Sequence, residues 1–193
     1  MGRFARGVDS GVRLGPGIPD QHLDGPPVDF PTGPISGLEE LPRRPGRYRV
    51  LVSGTAVCVL NAEAISDLAI RIGTVWEEPL AGRALDRAAA LDCFDAAAGA
   101  LGRRARSRTE LRRYLLQRQH AAEHAEAALD RLEALGALDD ASYARAFVAA
   151  RAGRSQSRMR LAAELSRRGV ARPVADAALA AVYAEEEIDD RAS

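Results

Sequence analysis

Residues 107–118 read SRTELRRYLLQR, and fifty positions later residues 157–168 read SRMRLAAELSRR. Sliding residues 107–132 by fifty positions aligns them with residues 157–182 without a gap, and ten of the twenty-six pairs are identical. A fixed period of this size is typical of stacked helical units. The sequence therefore predicts a mainly α-helical protein, in which tandem three-helix repeats form a curved, solenoid-like array.

Each repeat is predicted to begin with a capped, arginine-rich helix. In the first repeat, Ser107 is the expected cap, and Glu110 completes a capping box with it. A second helix is expected over about 122–135 and a third from Asp139 or Asp140 to Gly153. The first repeat then covers residues 106–153. In the second, Pro173 suits the first position of the second helix.

The segments around the repeats complete the predicted domain organisation. Residues 154–184 are expected to form an incomplete second repeat, because the acidic tail at 185–193 is too short to supply a third helix. Before the repeats, residues 81–105 are predicted to be a linking helix. Residues 47–80 contain two β-prone runs around a glycine turn, which predict a small β-hairpin followed by a short helix. Residues 1–46 are rich in glycine and proline and are predicted to be a disordered leader.

Charge alternates along the repeats, although the whole chain has a net charge of zero. Residues 103–118 and 151–172 each carry +6, whereas residues 119–150 carry −4 and residues 173–193 carry −5. Stacking equivalent helices would place the basic helices along one side, as a stripe that suits phosphate or carboxylate partners. The alternative is a solvated face whose ion pairs contribute little.

Several segments of the repeats resemble the RecX family, the regulatory proteins of RecA recombinase. They are RARSRTELRRYLLQR at 104–118, LDRLEALGALDDASYARAFVAARA at 129–152 and RRGV at 167–170, and the resemblance extends over about 47–183. It implies a cytoplasmic, non-enzymatic protein without a cofactor. Such a protein binds the filament of RecA on single-stranded DNA and inhibits RecA ATPase and strand exchange, in recombinational repair and the SOS response.

The resemblance places the partner contacts on the basic helices. The residues concerned are Arg106, Arg108, Arg112, Arg113, Arg118, Arg151, Arg154, Arg158, Arg160, Arg167 and Arg168. The chain departs from the family pattern in lacking a third unit, in GRSQSR at 153–158 where Gly-x-Gly-Pro is usual, and in Gln119-His120 where Lys/Arg-Gly is usual. A second hypothesis is an independent DNA-binding helical regulator that reads free DNA with the first helix of each repeat. A protein–protein scaffold is a third.

Other signals argue against catalysis and against a membrane protein. HAAEH at 120–124 matches an inverted zinc-peptidase motif, but its alignment with the segment containing Pro173 places His120 in a turn and His124 in the next helix. No metal site is therefore expected. All 27 basic residues are arginine, which excludes a Walker-type or Schiff-base lysine. No apolar run approaches the length of a membrane span, and no small-molecule substrate is expected.

Overall fold

The computed structural model describes residues 31–151 and 156–192, with side chains as far as Glu185. A small antiparallel sheet precedes a series of helices in this part of the chain. The strands are β1 Gly33–Glu40, β2 Arg47–Val52, β3 Thr55–Asn61 and β4 Val75–Trp76. The helices are α1 Ala62–Asp67, α2 Leu80–Arg103, α3 Arg108–Gln117, α4 Ala122–Ala134, α5 Asp140–Ala149, α6 Arg158–Arg167 and α7 Arg172–Ala192.

The predicted hairpin is present as β2 and β3, within a sheet of order β3-β2-β1-β4. Ser53 and Gly54 form its turn with φ values of 50° and 80°. Such values suit a primed two-residue turn, whose twist matches that of the strands. Asn61 caps α1 as predicted, because its side chain accepts a hydrogen bond from the Ala64 backbone N–H at 2.9 Å.

Strand β1 lies inside the segment that was expected to be a disordered leader, so the prediction for residues 33–46 is wrong. Ile35 is 1% exposed in the core of the sheet, where it is paired in register with Val52. A register shift between Ile35 and Gly37 interrupts the alternation of inward and outward side chains, and this alternation is the sequence signal of a strand. The prediction for residues 1–30 lies outside the described residues.

Helices α2 to α7 are grouped in two sets of three, each around its own apolar core. One core includes Cys93 and Ala97 from α2 with Leu111 from α3 and Leu129 from α4. The other core joins α5, α6 and α7 through side chains that include Phe147, Leu161 and Leu179.

This grouping corrects the predicted repeat boundaries, 106–153 and 154–184. The presumed linking helix α2 supplies the first helix of the first unit, and α5 belongs to the second unit. The second unit is therefore a complete set of three helices. The residues expected to form an acidic tail continue helix α7 as far as Ala192. The fifty-residue period is confirmed, since α3 and α6 begin and end fifty positions apart.

Candidate partner-binding surface

The two basic helices, α3 and α6, are built in the same way. Ser107 and Ser157 cap them, each accepting a hydrogen bond from the backbone N–H three residues later. In each helix two leucines, four residues apart, are fully buried: Leu111 and Leu115 in α3, Leu161 and Leu165 in α6. The burial fixes which way each helix faces, and therefore where its arginines project.

Arg108 is held by three carboxylates of α4. Its guanidinium lies 2.8 Å from Glu126, 2.8 Å from Asp130 and 2.7 Å from Glu133. Arg112 also bonds to Glu126. A hydrogen bond from Arg112 is the largest effect on the pKa of Glu126, which lies below its ordinary value. Burial opposes this shift, and a hydrogen bond from Arg108 adds to it. We call Glu126, Asp130 and Glu133 the acidic clasp.

Arg168 joins the two units. Its guanidinium lies 2.9 Å from Glu110 and donates to the Tyr143 hydroxyl oxygen at 3.2 Å. Its backbone carbonyl accepts a hydrogen bond from the Ser107 hydroxyl, and the carbonyl of Gly169 accepts one from the Thr109 hydroxyl at 3.0 Å. The C-terminal end of α6 is thus docked on the N-terminal end of α3 by polar contacts.

Other predicted arginines lie over aromatic rings, an arrangement that attracts the cation to the ring face. Arg106 and Arg118 each lie 4.8 Å from the centre of the Tyr114 ring. Arg151 lies 3.8 Å from the Phe147 ring, and Arg158 lies 4.2 Å from the Tyr183 ring. The guanidinium of Arg168 also lies 4.9 Å from the centre of the Phe147 ring.

Arg113 and Arg167 project from the helices towards solvent. Arg113 lies midway between two buried leucines of α3, and Arg167 follows Leu165 by two residues, so both point away from the cores. Both are exposed, and neither has an ion pair, hydrogen bond or ring contact among the residues that the structure describes. Arg160 is also exposed, with its guanidinium 3.7 Å from Glu164 one turn later. Arg154 lies outside the described residues.

The eleven predicted arginines therefore do not form one uniform exposed stripe. Arg108 and Arg168 form ion pairs within the chain. Arg108 does so with the clasp, and Arg168 does so at the junction between the units. Sequence reasoning missed the clasp, although its three acids follow one another at spacings of four and three residues, which place them on one helix face. The residues best placed to meet a partner are Arg113 and Arg167.

The HAAEH segment has the arrangement that the repeat predicted. His120 lies in the turn before α4 and His124 lies on α4, where its Nε2 is 3.0 Å from a carboxylate oxygen of Asp86. Within the described ranges, no group of three or more histidines, cysteines and acids could hold a metal ion. The two cysteines are poor nucleophiles, because burial raises the pKa of Cys58 to about 12 and that of Cys93 to about 11.

His120 gives the stability of the protein a pH dependence. Burial lowers the pKa of His120 below its ordinary value of about 6.5, while Asp92 raises it and Arg118 and His124 lower it further. The unfolded chain therefore takes up a proton that the folded chain resists, and stability falls as the pH drops through 6.5. We expect His120→Gln to show a smaller loss of stability than the native chain between pH 7.5 and pH 5.5 in urea unfolding.

The native chain and His120→Gln should be compared at both pH values. Asp92, whose pKa burial raises and His120 lowers, contributes with the opposite sign, so the difference between the two chains reports His120 together with its effect on Asp92. Identical pH dependence in the two chains would contradict the assignment to His120.

Two family models match the helical part of the chain. The model described as RecX, first three-helix domain, matches residues 93–132, and the one described as RecX, second three-helix domain, matches residues 139–179. These ranges coincide with the two helical cores. Residues 93–179 thus have the two helical domains of the RecX family. Several proteins named regulatory protein RecX also match part of the chain.

A regulatory protein RecX from Thermus thermophilus is 50% identical over 86 residues, which are 45% of this chain and 59% of the relative. A regulatory protein RecX from Mycobacterium avium is 41% identical over 87 residues, covering 45% of this chain and 50% of the relative. The chain thus matches between half and three fifths of the length of these two relatives.

A solved structure confirms the RecX fold. The crystal structure of a regulatory protein RecX has a TM-score of 0.66 and 19% sequence identity to this chain, and the match covers 77% of this chain and 73% of that one. In the described part of the chain, every helix is too short or too polar to cross a membrane.

Proposed function

We propose that this chain binds filaments of RecA on single-stranded DNA and inhibits RecA ATPase and strand exchange, without catalysing a reaction of its own. Support comes from its match to the two helical domains of the RecX family, whose relatives are named regulatory proteins. The observation that carries the proposal is the pair of exposed arginines, Arg113 and Arg167, one on the basic helix of each unit. A guanidinium suits both the phosphates of DNA and the carboxylates of a protein. The proposal places the protein in the cytoplasm, with its two cysteines free.

The independent DNA-reading alternative is less well supported for α3. A recognition helix of that kind contacts base edges with its N-terminal residues. At the start of α3, Ser107 and Thr109 bond to the backbone of Arg168 and Gly169, and Arg108 N–H donates to Asp140 at 2.8 Å. The second unit therefore covers the end of α3 that would have to enter the groove.

Charge reversal at the two exposed arginines tests the proposal. We expect the double variant Arg113→Glu and Arg167→Glu to bind RecA filaments roughly tenfold more weakly at fixed salt, because an attractive cation becomes a repulsive anion at two points. Inhibition of RecA ATPase should require correspondingly more protein. The fold should be retained, which circular dichroism can check.

The matched control is Arg83→Glu with Arg145→Glu, which makes the same change of charge at two exposed positions on α2 and α5. This control should bind filaments within about twofold of the native chain. Unchanged ATPase inhibition by the Arg113 and Arg167 variant would contradict the proposal. Equal affinity of the native chain for free single-stranded DNA and for filaments would favour the independent DNA-binding alternative.

A further inference from the structure

We propose that the acidic clasp, Glu126, Asp130 and Glu133, is an internal competitor for phosphate that lowers the affinity of Arg108 and Arg112 for free single-stranded nucleic acid. In consequence, tight binding requires contacts that bare nucleic acid does not offer. That consequence, selectivity for a protein-coated strand, rests on the proposed function. The competition itself does not.

The geometry supports competition because the clasp occupies the donors that a phosphate would use. Both terminal nitrogens of the Arg108 guanidinium bond to carboxylates, one to Glu126 and Asp130 and the other to Glu133. The Nε of Arg112 bonds to Glu126. A phosphate that binds either side chain must first displace a carboxylate, with its charge-assisted hydrogen bonds.

The charges of the clasp oppose phosphate as well. Two guanidinium groups, Arg108 and Arg112, face three carboxylates, which leaves this patch with a net charge of −1. The exposed fractions are 28% for Arg108 and 69% for Asp130, so the cluster lies at the surface, where a ligand can reach it. An approaching strand would therefore be repelled here, although the sequence of α3 is strongly basic.

Comparison of the two units shows that the fold does not require the clasp. In the second unit, Ala180 and Tyr183 occupy the positions of Asp130 and Glu133, and Ala162 occupies that of Arg112. Three buried leucines of the first core, Leu111, Leu115 and Leu129, have buried leucines at the equivalent positions of the second core. Exposed ion pairs contribute little to stability. Asp176 does occupy the position of Glu126, but Asp130 and Glu133 have no acidic counterpart. A function in binding accounts for these two acids better than a requirement of folding.

Removal of two acids tests the competition directly. The probe is a fluorescent oligo(dT) strand without RecA, and its affinity is measured by anisotropy at several salt concentrations. We expect Asp130→Asn with Glu133→Gln to bind the strand roughly fivefold more tightly than the native chain. If Arg108, released from Asp130 and Glu133, meets a phosphate, the slope of log K against log salt should steepen by about 0.7.

Two further variants make the result specific. Glu63→Gln with Glu123→Gln removes two exposed carboxylates outside the clasp, and its affinity and salt slope should stay close to those of the native chain. Ala180→Asp adds an acid to the second unit at the position of Asp130, and it should weaken binding of the strand. Circular dichroism and thermal unfolding establish that each variant is folded.

Native affinity and salt slope in the Asp130 and Glu133 variant would overturn the inference, and so would an equal gain in the Glu63 and Glu123 control. A parallel titration with RecA filaments separates this inference from the proposed function. If the native chain fails to bind filaments, the proposed function fails, while the titration with bare DNA still decides whether the clasp competes with phosphate. If both hold, the clasp variant should lose part of its preference for filaments over bare strands.

Discussion

Replacement of Gly169 by alanine is expected to lower the free energy of unfolding by about 3 kcal/mol. Gly169 has a φ of 79°, a conformation that costs an L-residue about 1–2 kcal/mol. An added Cβ would also lie 2.3 Å from the Cβ of Thr109, against which the end of α6 is docked. The contact cannot relax by a side-chain rotation, so the two helix ends would have to separate.

Gly136→Ala is the matched control for this prediction. Gly136 has a φ of 67°, but a Cβ added there would meet nothing within 4 Å. Its replacement should cost only about 1 kcal/mol, which is the backbone contribution alone. Urea unfolding of both variants measures the difference. An equal loss in the two would show that the junction between the units is loose enough to accept the extra methyl group.

The sequence predicted the helical repeat well because its signals are local. A serine cap and two leucines at a spacing of four identify α3 and α6 without reference to the rest of the chain, and both caps are confirmed. The hairpin was predictable for the same reason, since its turn and both strands are adjacent. Strand β1 was missed because a register shift after Ile35 breaks its alternation.

The grouping of helices into units was harder to predict, because a period does not specify a starting point. Extending the fifty-residue alignment backwards pairs Phe94 with Ala144 and Ala97 with Phe147. Large and small side chains have changed places between the two units, so these core positions do not match in a search for identical residues. Total core volume is preserved by such exchanges, and only the packing reveals the equivalence of α2 and α5.

The arginines of the candidate surface could be identified from the sequence, but their ion pairs could not. The eleven arginines are clustered in the sequence, yet which of them are free depends on acids from another helix or another unit. Glu126 and its neighbours approach Arg108 only because α3 and α4 pack together. The contact of Arg168 with Glu110 spans fifty-eight residues of sequence. In both cases the acid lies outside the helix that contains the arginine, so the pair cannot be inferred from that helix alone.

Leu161→Ala is expected to destabilise the second unit by about 3 kcal/mol while the first unit keeps its structure. Leu161 is fully buried in the core formed by α5, α6 and α7, and truncation leaves a cavity there. The core of α2, α3 and α4 shares no residue with it. Native-state hydrogen exchange should therefore show faster exchange in α5–α7 and nearly native protection in α2–α4.

The equivalent substitution Leu111→Ala should give the reverse pattern, because Leu111 occupies the matching position in the core of the first unit. The two experiments together measure how far the polar junction couples the units. Arg168, Ser107 and Thr109 supply most of the contacts described there. We expect these few part-buried polar contacts to transmit less stability than a shared apolar core. Equal loss of protection across both units in either variant would show instead that they unfold as one cooperative body, with the junction as strong as the cores it joins.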